Sequence, residues 1–219
     1  MFQNCTSLTT APALPATTLQ QSCYEGMFMG CTSLTTPPAL PATKLSYGRN
    51  YQLMFSGCTS LRHAPALPAM TATGSCYYGM FDGCSSLIDA PALPATALNS
   101  SCYYEMFKGC TSLTEAPALP ATTLASSCYQ GMFQGCTSLI TPPELLAPTL
   151  VLYCYQNLFK GCSELSSVTC LATNVTSTTY TKEWLDGVKA AGFFTKASEA
   201  DSWPAGVSGI PTGWTIVSR

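Results

Sequence analysis

The sequence predicts an α/β solenoid of about seven 26-residue strand–helix units closed by a small C-terminal cap, and three observations predict it. The first is self-similarity. The stretch Met132-Phe133-Gln134-Gly135-Cys136-Thr137-Ser138-Leu139 recurs seven times, with its phenylalanine at Phe2, Phe28, Phe55, Phe81, Phe107, Phe133 and Phe159, in steps of 26, 27, 26, 26, 26 and 26 residues. A period in the twenties is the mark of a solenoid, whose units bury their apolar faces only against their neighbours. The second is helix-like spacing in the half of each unit that holds this stretch. The third is a proline-rich, extended half that precedes it.

The unit from Leu8 to Leu34 illustrates both halves. Pro12 and Pro15 exclude helix and bias the residues before them toward extended geometry. The sixth copy places Glu144 in the column of Ala13, Ala39, Ala66, Ala92 and Ala118, so that column should face solvent, and period-two alternation turns Pro12 and Leu14 inward. A proline column lacks an N–H in every copy, so any ladder between units should be only two or three residues long. Farther on, Cys23, Met27 and Cys31 recur at i, i+4 and i+8, with Tyr24 and Phe28 beside them, which predicts a short helix with Ser22 as its N-cap. Gly30, Gly57, Gly83, Gly109, Gly135 and Gly161 would end these helices in the left-handed conformation, with Asn4 in the same column of the first copy.

The seventh copy departs from the pattern. Leu165 to Leu171 contains no proline and reads as a better strand. Residues 1–171 are thus assigned to the solenoid and 172–219 to a cap, which holds 8 of the chain's 20 charged residues and all three tryptophans. Within the cap, residues 181–190 read as a short helix ending at Gly192, and Phe193 to Thr195 and Trp214 to Val217 as short strands. Met1 stands in the methionine column, so the chain reads as able to begin inside a longer repeat, and no signal peptide is visible at its start.

Composition narrows the function classes. Charged residues are 9% of the chain, against about 25% in an ordinary soluble domain, and the net charge is −2. No basic stripe exists to meet phosphates, which argues against nucleic acid. No run of 18 apolar residues is present, so no membrane insertion by a helix is expected. The thirteen cysteines fall mostly in two columns, eight residues apart within a unit. On a helix those two would lie about 12 Å apart, and neighbouring helices pack about 8–10 Å apart, beyond disulfide reach. Free thiols acting as small core side chains are favoured over a bonded framework; no Cys-x-x-Cys pair suggests metal, and no cofactor is expected.

Catalysis is poorly supported. His63 is the only histidine and no phosphate-binding glycine loop follows a strand. Two clusters could bind a ligand. The column Thr10, Thr36, His63, Asp89, Glu115, Thr141 should stack at strand spacing, about 4.8 Å, which places His63, Asp89 and Glu115 in one exposed row, with Arg62 beside His63 and Glu144 a unit farther on. Such a row could contact a ligand or a cation; a solvated edge is the favoured reading. The second is the column Tyr24, Tyr51, Tyr77, Tyr103, Tyr129 and Tyr155, with further tyrosines at 47, 78, 104 and 153. These rings could form an aromatic surface for sugar or protein, or could pack as a ladder between units.

The motif Phe28-Met29-Gly30-Cys31-Thr32-Ser33-Leu34, repeated in register over residues 1–171, resembles the BspA-like leucine-rich repeats. The longer unit with Ala-Pro-Ala-Leu-Pro departs from the family's usual shorter one and is similar to the version in gut Bacteroidetes surface proteins and their phages. The resemblance implies a leucine-rich-repeat-like fold and an extracellular or cell-surface role in adhesion, with a protein or glycan receptor as partner. It carries no catalytic residues. A phage tail or fibre component, located on the virion, is the alternative, the solenoid there serving as a rigid spacer in a larger assembly. Variation at Gln3, Met29, Ser56, Asp82, Lys108, Gln134 and Lys160, beside an almost constant phenylalanine, suits a surface that differs between units.

Overall fold

The computed structural model describes residues 1–46, 48–200 and 203–219. Among them there is no helix: the chain winds as a solenoid of about eight turns spaced by about 26 residues, with parallel pairing between turns. The expected strand–helix, leucine-rich-repeat-like unit is therefore corrected to a helix-free coil of a parallel β-solenoid. Taking each coil to end at its glycine, coils 1 to 7 are residues 5–30, 31–57, 58–83, 84–109, 110–135, 136–161 and 162–187.

The segment expected to be helical is instead a ribbon of overlapping turns. From coil 1 into the first residue of coil 2, the N–H groups of Glu25, Met27, Met29 and Cys31 bond the carbonyls of Ser22, Tyr24, Gly26 and Phe28, three residues back. The N–H groups between them, on Tyr24, Gly26, Phe28 and Gly30, leave the coil and bond Asn50, Gln52, Met54 and Ser56 of coil 2. Coils 2 to 6 repeat this alternation. A helix would direct every one of these donors four residues back along its own chain. Positive φ recurs every fourth residue, at Ser22, Gly26 and Gly30 in coil 1 and at Ser101, Glu105 and Gly109 in coil 4. A right-handed helix tolerates none of these.

The sequence suggested a helix because the ribbon has a strict four-residue period. It buries pairs of neighbours, such as Cys102 and Tyr103, then Met106 and Phe107, then Cys110. Over nine residues that pattern differs from a helix's by only about 80° of drift at about 100° per residue. The phenylalanine rings decide between the two. They stack in consecutive coils with centroids 5.6–5.8 Å apart and planes within 9° of parallel. Helices packed about 8–10 Å apart could not bring every ring so close.

The other half of each coil is an extended arm. The alternation holds for Leu14 and for Pro38, Pro65, Pro91 and Pro143, which are buried, but Pro12, expected to face inward, is exposed in coil 1 at the end of the stack. The column of Leu14, Leu40, Leu67, Leu93, Leu119 and Leu145 is buried, and the column of Ala13, Ala39, Ala66, Ala92, Ala118 and Glu144 is exposed. Ladders are as short as the prolines require: β1 (Thr18–Leu19) pairs with β2 (Lys44–Leu45), and β3 (Thr71–Ala72) with β4 (Ala97–Leu98).

Toward the C-terminus β5 (Ser167–Cys170), β6 (Gly192–Lys196) and β7 (Trp214–Ser218) form a three-stranded parallel sheet in that order. The helix expected at 181–190 is absent. Residues 180–187 are another copy of the ribbon: the N–H groups of Tyr155, Asn157, Phe159 and Gly161 bond the carbonyls of Tyr180, Lys182, Trp184 and Asp186, and Gly187 takes the glycine position at φ 78°. Trp184 stacks on Tyr155 and Trp203, and its indole N–H donates to the Gly209 carbonyl. Large rings thus close this end of the core.

All thirteen cysteines carry free thiols. The reason is not the helix spacing supposed from sequence. Six of these thiols, on Cys31, Cys58, Cys84, Cys110, Cys136 and Cys162, donate to the carbonyls of Phe2, Phe28, Phe55, Phe81, Phe107 and Phe133 respectively. Asn50, which stands in the other cysteine column of the 27-residue coil 2, is buried and donates to the Gln20 carbonyl at 2.6 Å.

Candidate functional site

The extended arms do not ladder uniformly. At the start of the arm, coils pair 1 with 2, 3 with 4 and 5 with 6, through the parallel bridges Thr10–Thr36, His63–Asp89 and Glu115–Thr141. In each pair the N–H of the next residue, Ala11, Ala64 or Ala116, bonds across to the partner coil. Between coils 2 and 3 that donor position is Pro37, and between coils 6 and 7 it is Pro142; neither has an N–H to give. Between coils 4 and 5 the position is Ala90. Its N–H bonds no protein acceptor among the described residues, and Ser86 to Ser100 of coil 4 make no backbone hydrogen bond with coil 5.

The arms gape at these three places. The opening between coils 4 and 5 is the largest, about 570 Å³, lined by Ile88 to Ala90 and Ala92 to Pro94 on one wall and by Thr114 to Ala118 and Pro120 on the other. The opening between coils 2 and 3, about 300 Å³, is lined only by proline, alanine and leucine. The third, about 430 Å³, lies between coils 6 and 7 and includes Glu144.

The candidate row divides accordingly. His63 and Asp89 are bridged, with Nδ1 of the imidazole 2.6 Å from Oδ2 of the carboxylate and both side chains more than 60% exposed. Exposed pairs of this kind contribute about 0.2–1 kcal/mol. Glu115 does not ladder with Asp89; its main chain pairs with Thr141, and the two carboxylates stand on opposite walls of the large opening. Arg62 is exposed, and its carbonyl accepts the N–H of Ile88 at 3.0 Å; neither Arg62 nor His63 lines that opening. Glu144 is elsewhere engaged, both its oxygens held at 2.9 Å by the Arg219 guanidinium, whose hydrogen bond lowers the carboxyl's pKa. No three His, Cys, Asp or Glu side chains among the described residues come together as a metal site would need.

The tyrosine column is not an exposed aromatic surface. Tyr51, Tyr77, Tyr103, Tyr129 and Tyr155 are at most 2% exposed and stack from coil to coil at 5.4–6.2 Å; Tyr24, at the first coil, is half-buried. Of the additional tyrosines, Tyr78 and Tyr104 stack at 4.6 Å on the half-buried rim of the ribbon, Tyr153 is exposed, and Tyr47 lies outside the described residues.

Sequence reasoning found the two carboxylates and missed the opening between them. The missing ladder at coils 2–3 and 6–7 was legible in Pro37 and Pro142. Nothing in Ala90 announces the gap at coils 4–5. No family model, curated protein or solved structure matches the chain.

Proposed function

We propose that this chain is a non-enzymatic recognition module, outside the cell or at its surface, that binds a protein or glycan on a host or bacterial surface through the face formed by the extended arms. The observation that carries this reading is the opening between coils 4 and 5, where an otherwise apolar wall presents two carboxylates and unpaired main-chain groups to solvent. The motif resemblance to BspA-like repeat proteins points the same way. Catalysis draws little support from the side chains. The one histidine is paired to Asp89, and burial raises the pKa of thiols such as Cys84, Cys110 and Cys162, where a nucleophilic cysteine needs the opposite shift.

The test is saturable binding of the labelled chain to intact bacterial cells, host epithelial cells and immobilised glycans. Ala118→Arg fills the opening from an exposed position; Ala13→Arg makes the same change in coil 1. Recognition through this face predicts that the first variant loses binding and the second keeps it. Absence of saturable binding to every surface would sink the proposal.

A second reading, a rigid spacer in a phage tail fibre or another assembly, is favoured by the unbroken aromatic ladder from Phe2 to Phe159. Deleting residues 84–109, one whole coil in register, separates the two. A spacer tolerates that loss with a shorter reach; the recognition face loses one wall of its opening.

A further inference from the structure

The opening between coils 4 and 5 differs from the other two in one chemical respect. At coils 2–3 and 6–7 a proline removes the donor, so little hydrogen-bonding capacity is left over. At coils 4–5 the capacity is intact and unused. In coil 3 the Arg62 carbonyl, which accepts the Ile88 N–H at 3.0 Å, also accepts that of Asp89 at 3.5 Å, and the Ala64 N–H donates to the Asp89 carbonyl at 3.4 Å, so that one residue of the neighbouring coil is held by both groups. The equivalent groups of coil 4 are the Ile88 carbonyl and the Ala90 N–H. Among the described residues they hold nothing, because Glu115 pairs with coil 6. A strand edge with an unpaired donor and acceptor two residues apart is a template for one residue of an added extended chain.

Charge specifies the occupant further. Asp89 and Glu115 line the two walls; Asp89 is paired to His63, and Glu115 has no ion-pair partner among the described residues. The lining contains no Lys, Arg or His, so the carboxylates meet no cation inside the opening. The remaining lining is alanine, proline, leucine, isoleucine and threonine, suited to small or aliphatic neighbours. A volume of about 570 Å³ falls within the range of about 300–1,000 Å³ common for ligand sites.

Resting on the recognition reading above, we propose that this opening binds an extended peptide segment of a partner protein carrying a lysine or arginine, whose side chain lies between Asp89 and Glu115. The backbone of one residue of that segment takes the Ile88 carbonyl and the Ala90 N–H, the bond pair that Asp89 takes on coil 3. Carboxylates also suit sugar hydroxyls, but a sugar has no amide pair to match this strand edge. A peptide is therefore the occupant that engages the Ile88 carbonyl, the Ala90 N–H and the Glu115 carboxylate together, with Asp89, which His63 bridges from outside the opening, beside them.

The probes are three heptapeptides with blocked ends, Ala-Thr-Ala-X-Ala-Thr-Ala, in which X is Lys, Gln or Glu, together with a panel of neutral oligosaccharides. Binding is followed by amide chemical shifts and calorimetry on the full chain. The lysine peptide should bind at least about tenfold more tightly than the glutamine peptide, a difference of about 1.4 kcal/mol, and the glutamate peptide should bind more weakly still. Shifts should centre on the Ala90 and Glu115 amides, and affinity should fall with added salt. Asp89→Asn with Glu115→Gln should erase the preference for lysine; both positions are exposed, so the fold should persist, and the unchanged thermal midpoint checks this. Methylation of the backbone nitrogen of X should weaken binding at least about tenfold. Equal affinity of the lysine and glutamine peptides, or binding of the oligosaccharides with none of the peptides, overturns the proposal and leaves the recognition reading standing. Failure of the chain to bind any cell or glycan surface, with the lysine preference intact, overturns the wider reading and leaves this site in place.

Discussion

The thiol of Cys110 donates a hydrogen bond to the main-chain carbonyl of Phe81 at 3.2 Å. That carbonyl also accepts the N–H of Cys84, three residues on along the chain, so both its lone pairs are used. The same pair of bonds recurs up the solenoid. It accounts for cysteine in this column: the side chain is small enough for the space between turns and still donates. Cys110→Ala removes the sulfur's volume and one donor at a fully buried position, which should cost about 1–2 kcal/mol. Chemical denaturation reads this directly, and no measurable change would show that neither the volume nor the bond matters. Thiol labelling provides the companion count. Cys5 and Cys23 are exposed and the other eleven are buried, so two thiols should react quickly in the native chain and thirteen after unfolding without reductant.

Alkaline pH should destabilise the fold. Burial pushes the Cys58, Cys76, Cys136 and Cys170 thiols from 9.0 up to about 12, and burial likewise raises the phenols of Tyr77, Tyr103, Tyr129 and Tyr155. Above about pH 9 the unfolded chain loses thiol protons that the folded chain retains, so it binds fewer protons and stability falls as pH rises. The thiol contribution is fully present below pH 9 and is lost between about 9 and 12. Denaturation midpoints measured from pH 7 to 11 under reducing conditions check the sign. A midpoint that climbs across this range would contradict the buried, protonated state of these side chains.

The period, the core columns and the exposed alanine column could be read from the residues because they depend only on which side chains recur. The ribbon could not. Cys102, Tyr103, Met106, Phe107 and Cys110 satisfy a four-residue turn repeat and a short amphipathic helix almost equally. What separates them is the destination of alternate N–H groups, a property of the neighbouring coil. Ser22 is consistent with an N-cap in sequence, yet it and its counterparts Ser75, Ser101 and Ser127 carry positive φ. The ribbon of coil 7 was hidden because Tyr180, Thr181, Trp184 and Leu185 replace the usual side chains; only Gly187, 26 residues after Gly161, preserved the register. At the candidate site, Asp89 and Glu115 were visible as a column, but the broken ladder between them depends on backbone spacing, which no side chain encodes.

Position in the stack should set the value of each phenylalanine. Phe107 lies between Phe81 and Phe133, with centroids at 5.6 and 5.7 Å, and is fully buried. Phe2 stacks only on Phe28 and is partly exposed. Phe107→Ala should cost about 3–5 kcal/mol, the range for emptying a buried aromatic site. Phe2→Ala should cost markedly less, since coupling runs between nearest neighbours. Equal losses, measured by urea denaturation, would count against a linear stack.

Backbone strain in the ribbon gives the last contrast. Gly109 has φ 69°, and a Cβ there would lie 3.6 Å from the Gly83 Cα, an ordinary contact. Space does not exclude alanine at this position; conformation does, and Gly109→Ala should cost about 1–2 kcal/mol, the left-handed penalty for a residue with a side chain. Tyr153 already bears that penalty. It sits at φ 59°, and the residue is 39% exposed. Asparagine tolerates this region better than a bulky residue, and the chain already uses it at Asn4 and Asn157, with φ 58° and 55°. Tyr153→Asn should therefore raise stability by about 0.5–1 kcal/mol, less whatever the half-covered ring contributes. Opposite signs for the two substitutions would locate the cost in the backbone. A loss at Tyr153 as large as that at Gly109 would show instead that the ring's packing outweighs the strain, and that the four-residue rhythm of positive φ is held by side chains rather than by the turns themselves.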